Sequence, residues 1–154
     1  MFLDRIDKAI LRQLQSDASL SNLKLSHNIG LSAPACLKRV KRLEAEGVIN
    51  KRVALIDQSK FGPCVHMIVE VMMHEDNLLK SQQFIKTVLL CEQVHECYKV
   101  TGEVDFVLVV VVPDMPSYAS FCERILYQHS NMRQFRTLIS MNRVKYDTQV
   151  HIPD

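Results

Sequence analysis

Ile6, Ile10, Leu11 and Leu14 recur at the three-and-four spacing of one helical face, and Asp4 stands where such a helix is capped. Residues 19–22 then break the pattern with polar side chains, and Ser21 is placed to cap a short second helix. Leu25 and Ile29 form its inward face, and Gly30 sits where a left-handed residue ends a helix. Leu31 alone separates that glycine from Ser32, which caps a third helix with Pro34 in its first turn and Gly47 just beyond its end. Two short helices joined by so tight a glycine-containing turn, the second of them basic, predict a helix-turn-helix. A short hairpin or wing is expected at residues 48–56, and the polar, Gly- and Pro-containing residues 57–63 read as a linker.

From there the periodicity changes. Residues 65–73 are a β-rich run, and residues 77–90 are helical, with Leu78, Phe84, Ile85, Val88 and Leu89 as apolar positions. Residues 94–100 and 104–112 read as strands around Thr101-Gly102-Glu103, Asp114 caps a helix to about residue 129, and residues 136–146 form a last strand. The order β-α-β-β-α-β predicts a ferredoxin-like domain over residues 64–154, behind a winged helix-turn-helix over residues 1–56, an α+β chain overall. In that arrangement both helices cover one face of an antiparallel sheet. The run Phe106 to Val112 is apolar at every position, so its strand needs cover on both faces, which predicts an oligomer.

Charge sharpens the division. Residues 1–60 hold 11 Lys and Arg against 6 Asp and Glu, and residues 61–154 hold 8 against 11. A basic first part followed by an acidic remainder points to one region that meets a polyanion, double-stranded DNA, and one that does not. On the third helix, about 100° per residue puts Cys36, Leu37, Val40 and Leu43 inward and Pro34, Ala35, Lys38, Lys41 and Arg42 outward, with Arg39 on the flank. Small residues at the start of a helix (Ser32, Ala33, Pro34, Ala35) let it approach base edges, while cations further along reach phosphates or guanine edges. Lys51 and Arg52 extend the basic surface.

Other chemistry is sparse. The five cysteines form no Cys-x-x-Cys pair and no histidine joins them at zinc spacing, so free thiols and no metal are expected. No run approaches the roughly 20 apolar residues of a membrane span, and no signal-like N-terminus is present, which predicts a cytoplasmic protein without a membrane partner. An enzyme built from His66, His95, Cys97 and Ser140 is the first rival reading, but their spacing favours no such arrangement and no glycine-rich phosphate loop or other cofactor motif accompanies them. A DNA-independent assembly protein is the second, separated by the salt dependence of duplex binding.

The chain resembles the Lrp/AsnC, or feast/famine, regulators. The resemblance runs through residues 3–11, 20–22, 29–32 and 36–49, then Glu96-Cys97, residues 100–106 and Val112-Pro113-Asp114-Met115. It implies dimers that assemble into octamers and respond to an amino acid or related small molecule held between dimers. It places the effector at Thr101, Gly102, Glu103, Val104 and Asp105, with Met115, Leu138, Ile139 and Ser140 completing the pocket from a neighbouring subunit. Gly102 lets backbone N–H groups approach a carboxylate, and Asp105 is suited to an ammonium; the same two residues also suit a purely structural tight turn. Three departures stand out: Glu103-Val104 where an acidic–aromatic pair is usual, Lys99 where an apolar residue is common, and Lys51-Arg52 for a Gly-Tyr pair. Lys99 favours a more acidic effector.

Overall fold

Asp4 and Asp7 open the first helix by exchanging hydrogen bonds. The Asp4 carboxylate accepts from the Asp7 N–H at 2.8 Å, and the Asp7 carboxylate accepts from the Asp4 N–H at 3.2 Å, a capping box. The computed structural model describes residues 2–153, which fold as two compact units.

Among the described residues the first unit spans residues 2–56 and takes in residues 145–153. It contains α1 (Arg5–Ser16), α2 (Asn22–Asn28) and α3 (Ala33–Ala45). Ile10, Leu14, Leu25, Cys36, Val40 and Leu43 form its core, ringed by half-buried residues that include Leu20, Leu31 and Ile49. The expected hairpin at residues 48–56 does not form. Ile49 packs on the core, and residues 50–57 run without helix or strand, with Arg52 paired to Glu44 of α3. The C-terminal residues return to α1: Val150 exchanges two hydrogen bonds with the Gln15 amide at 3.2 Å each, and the Ile152 carbonyl accepts from Arg12 at 2.9 Å.

The second unit, residues 57–144, begins with a 3-10 turn (Gln58–Phe61). β1 (Val65–Met73), α4 (Leu78–Leu89), β2 (Val94–Lys99), β3 (Phe106–Val112), α5 (Met115–Phe121) and β4 (Met132–Ile139) follow. The strands form one antiparallel sheet in the order β2-β3-β1-β4, the ferredoxin-like βαββαβ arrangement. Met67, Val69 and Val71 alternate along β1 toward a core shared with Phe106, Leu108 and Val110 of β3, Phe84 and Val88 of α4, and Tyr118 and Phe121 of α5. Fully buried side chains of this size contribute about 1.5–3 kcal/mol each. The Tyr118 hydroxyl and Thr137 Oγ1 share a 2.5 Å hydrogen bond that ties α5 to β4.

Several sequence expectations shift here. On α4 the inward stripe is Ser81, Phe84 and Val88, while Leu78 and Leu89 are 67% and 77% exposed. Leu89 lies one residue, about 100°, past Val88 and so leaves the core face. The helix expected to reach residue 129 ends as α5 plus one π turn, Cys122–Leu126. The last strand starts four residues earlier than expected. Buried Asn131 pins it, its carbonyl accepting from His74 N–H and its amide donating to the Glu75 carbonyl. It also ends early, because the Ser140 N–H bond to the His66 carbonyl is the last rung that β1 offers.

Asp105 closes the other end of the β1–β3 ladder. Its N–H donates to the Val71 carbonyl at 2.8 Å, and its carboxylate accepts from the Met73 N–H at 2.7 Å, replacing a main-chain rung with a side chain. The face of the sheet away from the helices carries Ile68, Met72, Val107, Val109 and Leu138, with Ile68 and Leu138 40% and 45% exposed. At its centre Arg136 donates to Glu70 at 2.6 Å.

Two outcomes follow. Asp105→Ala leaves the Met73 N–H without its acceptor and should lower stability in urea by roughly 1–3 kcal/mol. Asp4 is held at about 2, below its ordinary 3.8, first by the Asp7 N–H and next by the Arg39 guanidinium. Because the folded state favours the ionised form, this stabilisation is full above about pH 4 and disappears as the pH falls through about 2. The thermal midpoint of Asp4→Asn should therefore lie below that of the wild type at neutral pH, the two converging in acid.

Candidate nucleic-acid interface and effector turn

The turn between α2 and α3 is fixed by main-chain chemistry. Gly30 takes a φ of 69°, which costs a residue without Cβ nothing. It lets the Leu31 N–H reach the Ser26 carbonyl at 2.9 Å and the Gly30 N–H reach that of His27 at 3.3 Å, the Schellman pattern. From the first turn of α2, the Asn22 amide donates to the Ala33 carbonyl at 2.7 Å and holds the start of α3. The Ser32 hydroxyl then caps α3 through the Ala35 N–H. Sequence reasoning passed over Asn22, whose partner lies 11 residues away.

These constraints present one face of α3. Ser32, Pro34, Ala35, Lys38 and Lys41 are exposed, Ala33 is half-buried, and the two lysines form no ion pair among the described residues. Leu37 was expected to point inward. Instead it is 42% exposed on the flank next to Lys41, because the inward stripe is filled by Cys36, Val40 and Leu43. Arg42 is the other correction: it does not point away from the first unit's helices. Its Nη2 donates to Asp7 Oδ2 at 2.5 Å, and Arg39 Nη1 donates to Asp7 Oδ1 at 2.8 Å and to Asp4 Oδ2 at 2.7 Å. Asp7 is only 1% exposed. Two of the four α3 cations are thus bound to α1 and its cap. Beyond α3, Lys51 is exposed, and Arg52 pairs with Glu44 of α3 at 2.8 Å.

The second candidate site is the β2–β3 turn. Thr101, Gly102 and Glu103 are exposed and Val104 and Asp105 half-buried, with Gly102 at a φ of 122° that a side chain would strain. Lys99 is exposed at the end of β2, beside the turn. One Asp105 oxygen is already committed to the Met73 N–H, so that part of the turn serves the fold. Met115, Leu138, Ile139 and Ser140 are not beside it. They lie at the opposite end of the sheet, by Val112 and Met67, a strand length or about 20 Å from Phe106. Within one chain the two halves of the expected pocket do not meet.

Of the imagined catalytic set, Ser140 sits beside His66 through its N–H bond to the His66 carbonyl, and His95 is near enough to act on the His66 charge, but Cys97 stands apart. His66 opposes Val111 on the face away from the helices, Cys97 opposes Leu108 on the helix side, and β3 runs between their strands. Desolvation pushes the Cys97 thiol up, away from the thiolate a nucleophile needs. Among the described residues no helix is long and apolar enough to cross a membrane.

Comparison with known proteins agrees with this geometry. The Lrp/AsnC ligand binding domain matches residues 66–150, over half of the chain, and a winged helix-turn-helix DNA-binding domain matches residues 3–50. The transcriptional regulator AzlB of Bacillus subtilis (strain 168) is 39% identical over 154 residues, spanning 100% of this chain and 98% of that protein. The leucine-responsive regulatory protein of Escherichia coli (strain K12) is 35% identical over 150 residues, 97% of this chain and 92% of that one. Among solved structures, an AsnC family transcriptional regulator from Agrobacterium tumefaciens superposes with a TM-score of 0.89 at 34% identity, covering 96% of each chain. A transcriptional regulator from Neisseria meningitidis, solved as a complex with L-Met, gives 0.90 at 26% identity and 97% coverage of each. With a helix-turn-helix in its first unit and the ligand-binding sheet in its second, the chain belongs to the Lrp/AsnC family of DNA-binding transcriptional regulators.

Proposed function

We propose that the chain acts in the cytoplasm as a homodimer that sets α3 of each protomer into the major groove and assembles further, to octamers, under control of an amino acid. The observation that carries this reading is the outward face of α3. A Ser32-capped N-terminus with small residues is followed by Leu37, Lys38 and Lys41, all exposed on a helix whose other side is packed. Ser32, Ala33, Pro34 and Ala35 allow close approach to base edges, and Leu37 is an apolar surface suited to a thymine methyl group. Lys38, Lys41 and Lys51 supply charge to phosphates. The outer face of the sheet, with Ile68, Val109 and Leu138 among its apolar residues, supports pairing with a second copy. Two-fold symmetry then spaces the half-sites by about one helical turn, roughly 10 bp, or a multiple of it.

For the effector, the L-Met complex of the Neisseria relative supports an amino acid. Thr101 to Asp105 form one wall, and Met115, Leu138, Ile139 and Ser140 of another subunit the other. Lys99 adds a cation at the rim, which favours a ligand with a second carboxylate. The protein works by binding, and no step of this reading requires catalysis.

The test is light scattering on the purified protein, alone and with each of the twenty amino acids, paired with DNA mobility shifts on the same samples. An effector should change mass and shift together; a ligand that alters DNA binding at constant mass would overturn control through assembly. In calorimetric titrations Lys99→Leu should weaken acidic amino acids and leave apolar ones unchanged. Equal losses for both would remove Lys99 from the pocket.

A further inference from the structure

We infer that Asp7 is a positioning residue that withholds Arg39 and Arg42 from DNA, so that the phosphate charge on α3 comes from Lys38 and Lys41 alone. This rests on the reading of α3 as the DNA-facing helix and refines which of its cations engage. Asp7 lies one turn into α1, almost sealed from solvent, and both of its carboxylate oxygens are occupied by guanidinium groups of α3. Arg39 bridges on to Asp4, whose own carboxylate also caps α1, so two acids and two arginines form one closed cluster. The side chains of Arg39 and Arg42 are 28% and 43% exposed, and each is tied to the acids of α1 through one nitrogen, Nη1 of Arg39 and Nη2 of Arg42.

Competition between Asp7 and a phosphate is unequal. An arginine that left Asp7 for a phosphate would leave a desolvated carboxylate with one of its two guanidinium partners gone, and such a charge is far costlier to leave underpaired than a solvated phosphate is to leave uncontacted. Phosphate contact is also diluted by salt, while the cluster is shielded from it. The arginines therefore stay. Their second effect concerns specificity: cations withheld from the backbone do not strengthen binding to every sequence alike. Fewer backbone contacts leave a larger share of the binding energy to base edges. The same bonds fix the rotation of α3 about its axis, which decides that Pro34, Leu37, Lys38 and Lys41 are the residues presented.

The experiment measures the salt dependence of binding to a mixed-sequence duplex for wild type, Arg42→Gln, Lys38→Gln and Asp7→Asn, with thermal melts of each. Each lost phosphate contact reduces the log–log slope by about 0.9. Lys38→Gln should show that loss with an unchanged melt. Arg42→Gln should keep the wild-type slope and melt lower. Asp7→Asn should bind with a steeper slope than wild type, a change that loss of stability alone does not produce. An Arg42→Gln slope that falls as far as that of Lys38→Gln would overturn the proposal, and so would an unaltered melt. If Asp7→Asn does not fold, the Arg42→Gln and Lys38→Gln pair still decides. A salt-dependent wild type whose slope neither Lys38→Gln nor Arg42→Gln reduces would instead overturn the assignment of α3 as the DNA-facing helix.

Discussion

A carboxylate sealed within a three-helix unit must be neutralised where it stands, and Asp7 organises the first unit around that requirement. An exposed pair such as Arg52–Glu44 contributes about 0–1 kcal/mol, whereas removing a partner from Asp7, whose side chain is 1% exposed, leaves a carboxylate that water cannot resolvate, a larger loss. The difference decides which ion pairs shape the unit. Arg39 and Arg42 face α1 because Asp7 is there, Cys36, Val40 and Leu43 face the core because they are apolar, and what remains of α3 is turned outward by elimination.

The second unit answers a different constraint. Its central strand β3 is apolar on both faces, β1 adds Ile68 and Met72 to the outer one, and the two helices cover only the inner face. Half-buried Val107 and Val109, next to exposed Ile68 and Leu138, form a surface that gains by leaving water. The Glu70–Arg136 pair at its centre is already neutralised across the two strands, so it can be covered without stranding a charge.

What was legible in the chain was mostly local. Asp4, Ser21, Ser32 and Asp114 all cap the helices they precede, and each needs only an N–H three residues away. The sheet order followed from element order, and β1 and β3 from their apolar runs. What escaped depends on partners far along the chain. Helical period gave the angle of Arg42 but could not say that Asp7, 35 residues earlier, waits on that side. The start of β4 is set by Asn131 bonding to the Glu75 carbonyl, 56 residues before it. Leu37, Leu78 and Leu89 were misplaced for a separate reason: apolar residues are not obliged to be inside, and each helix already had its stripe filled.

Asp105 shows how one residue can belong to the fold and also lie in a proposed ligand site. Its carboxylate ends the β1–β3 ladder, so the backbone of residues 100–105 is held in shape before anything binds. A preformed turn loses little freedom on meeting a ligand, which favours binding. Yet the other residues assigned to the pocket lie a strand length away in the same chain, so a ligand touching both sets must bridge subunits. Such a ligand binds the assembled state more tightly than the separated one, and by reciprocity it must promote that assembly. On the proposed reading, control of DNA binding requires no signal carried through either unit. It is enough that the ligand changes how many copies of α3 are held together, and at what spacing.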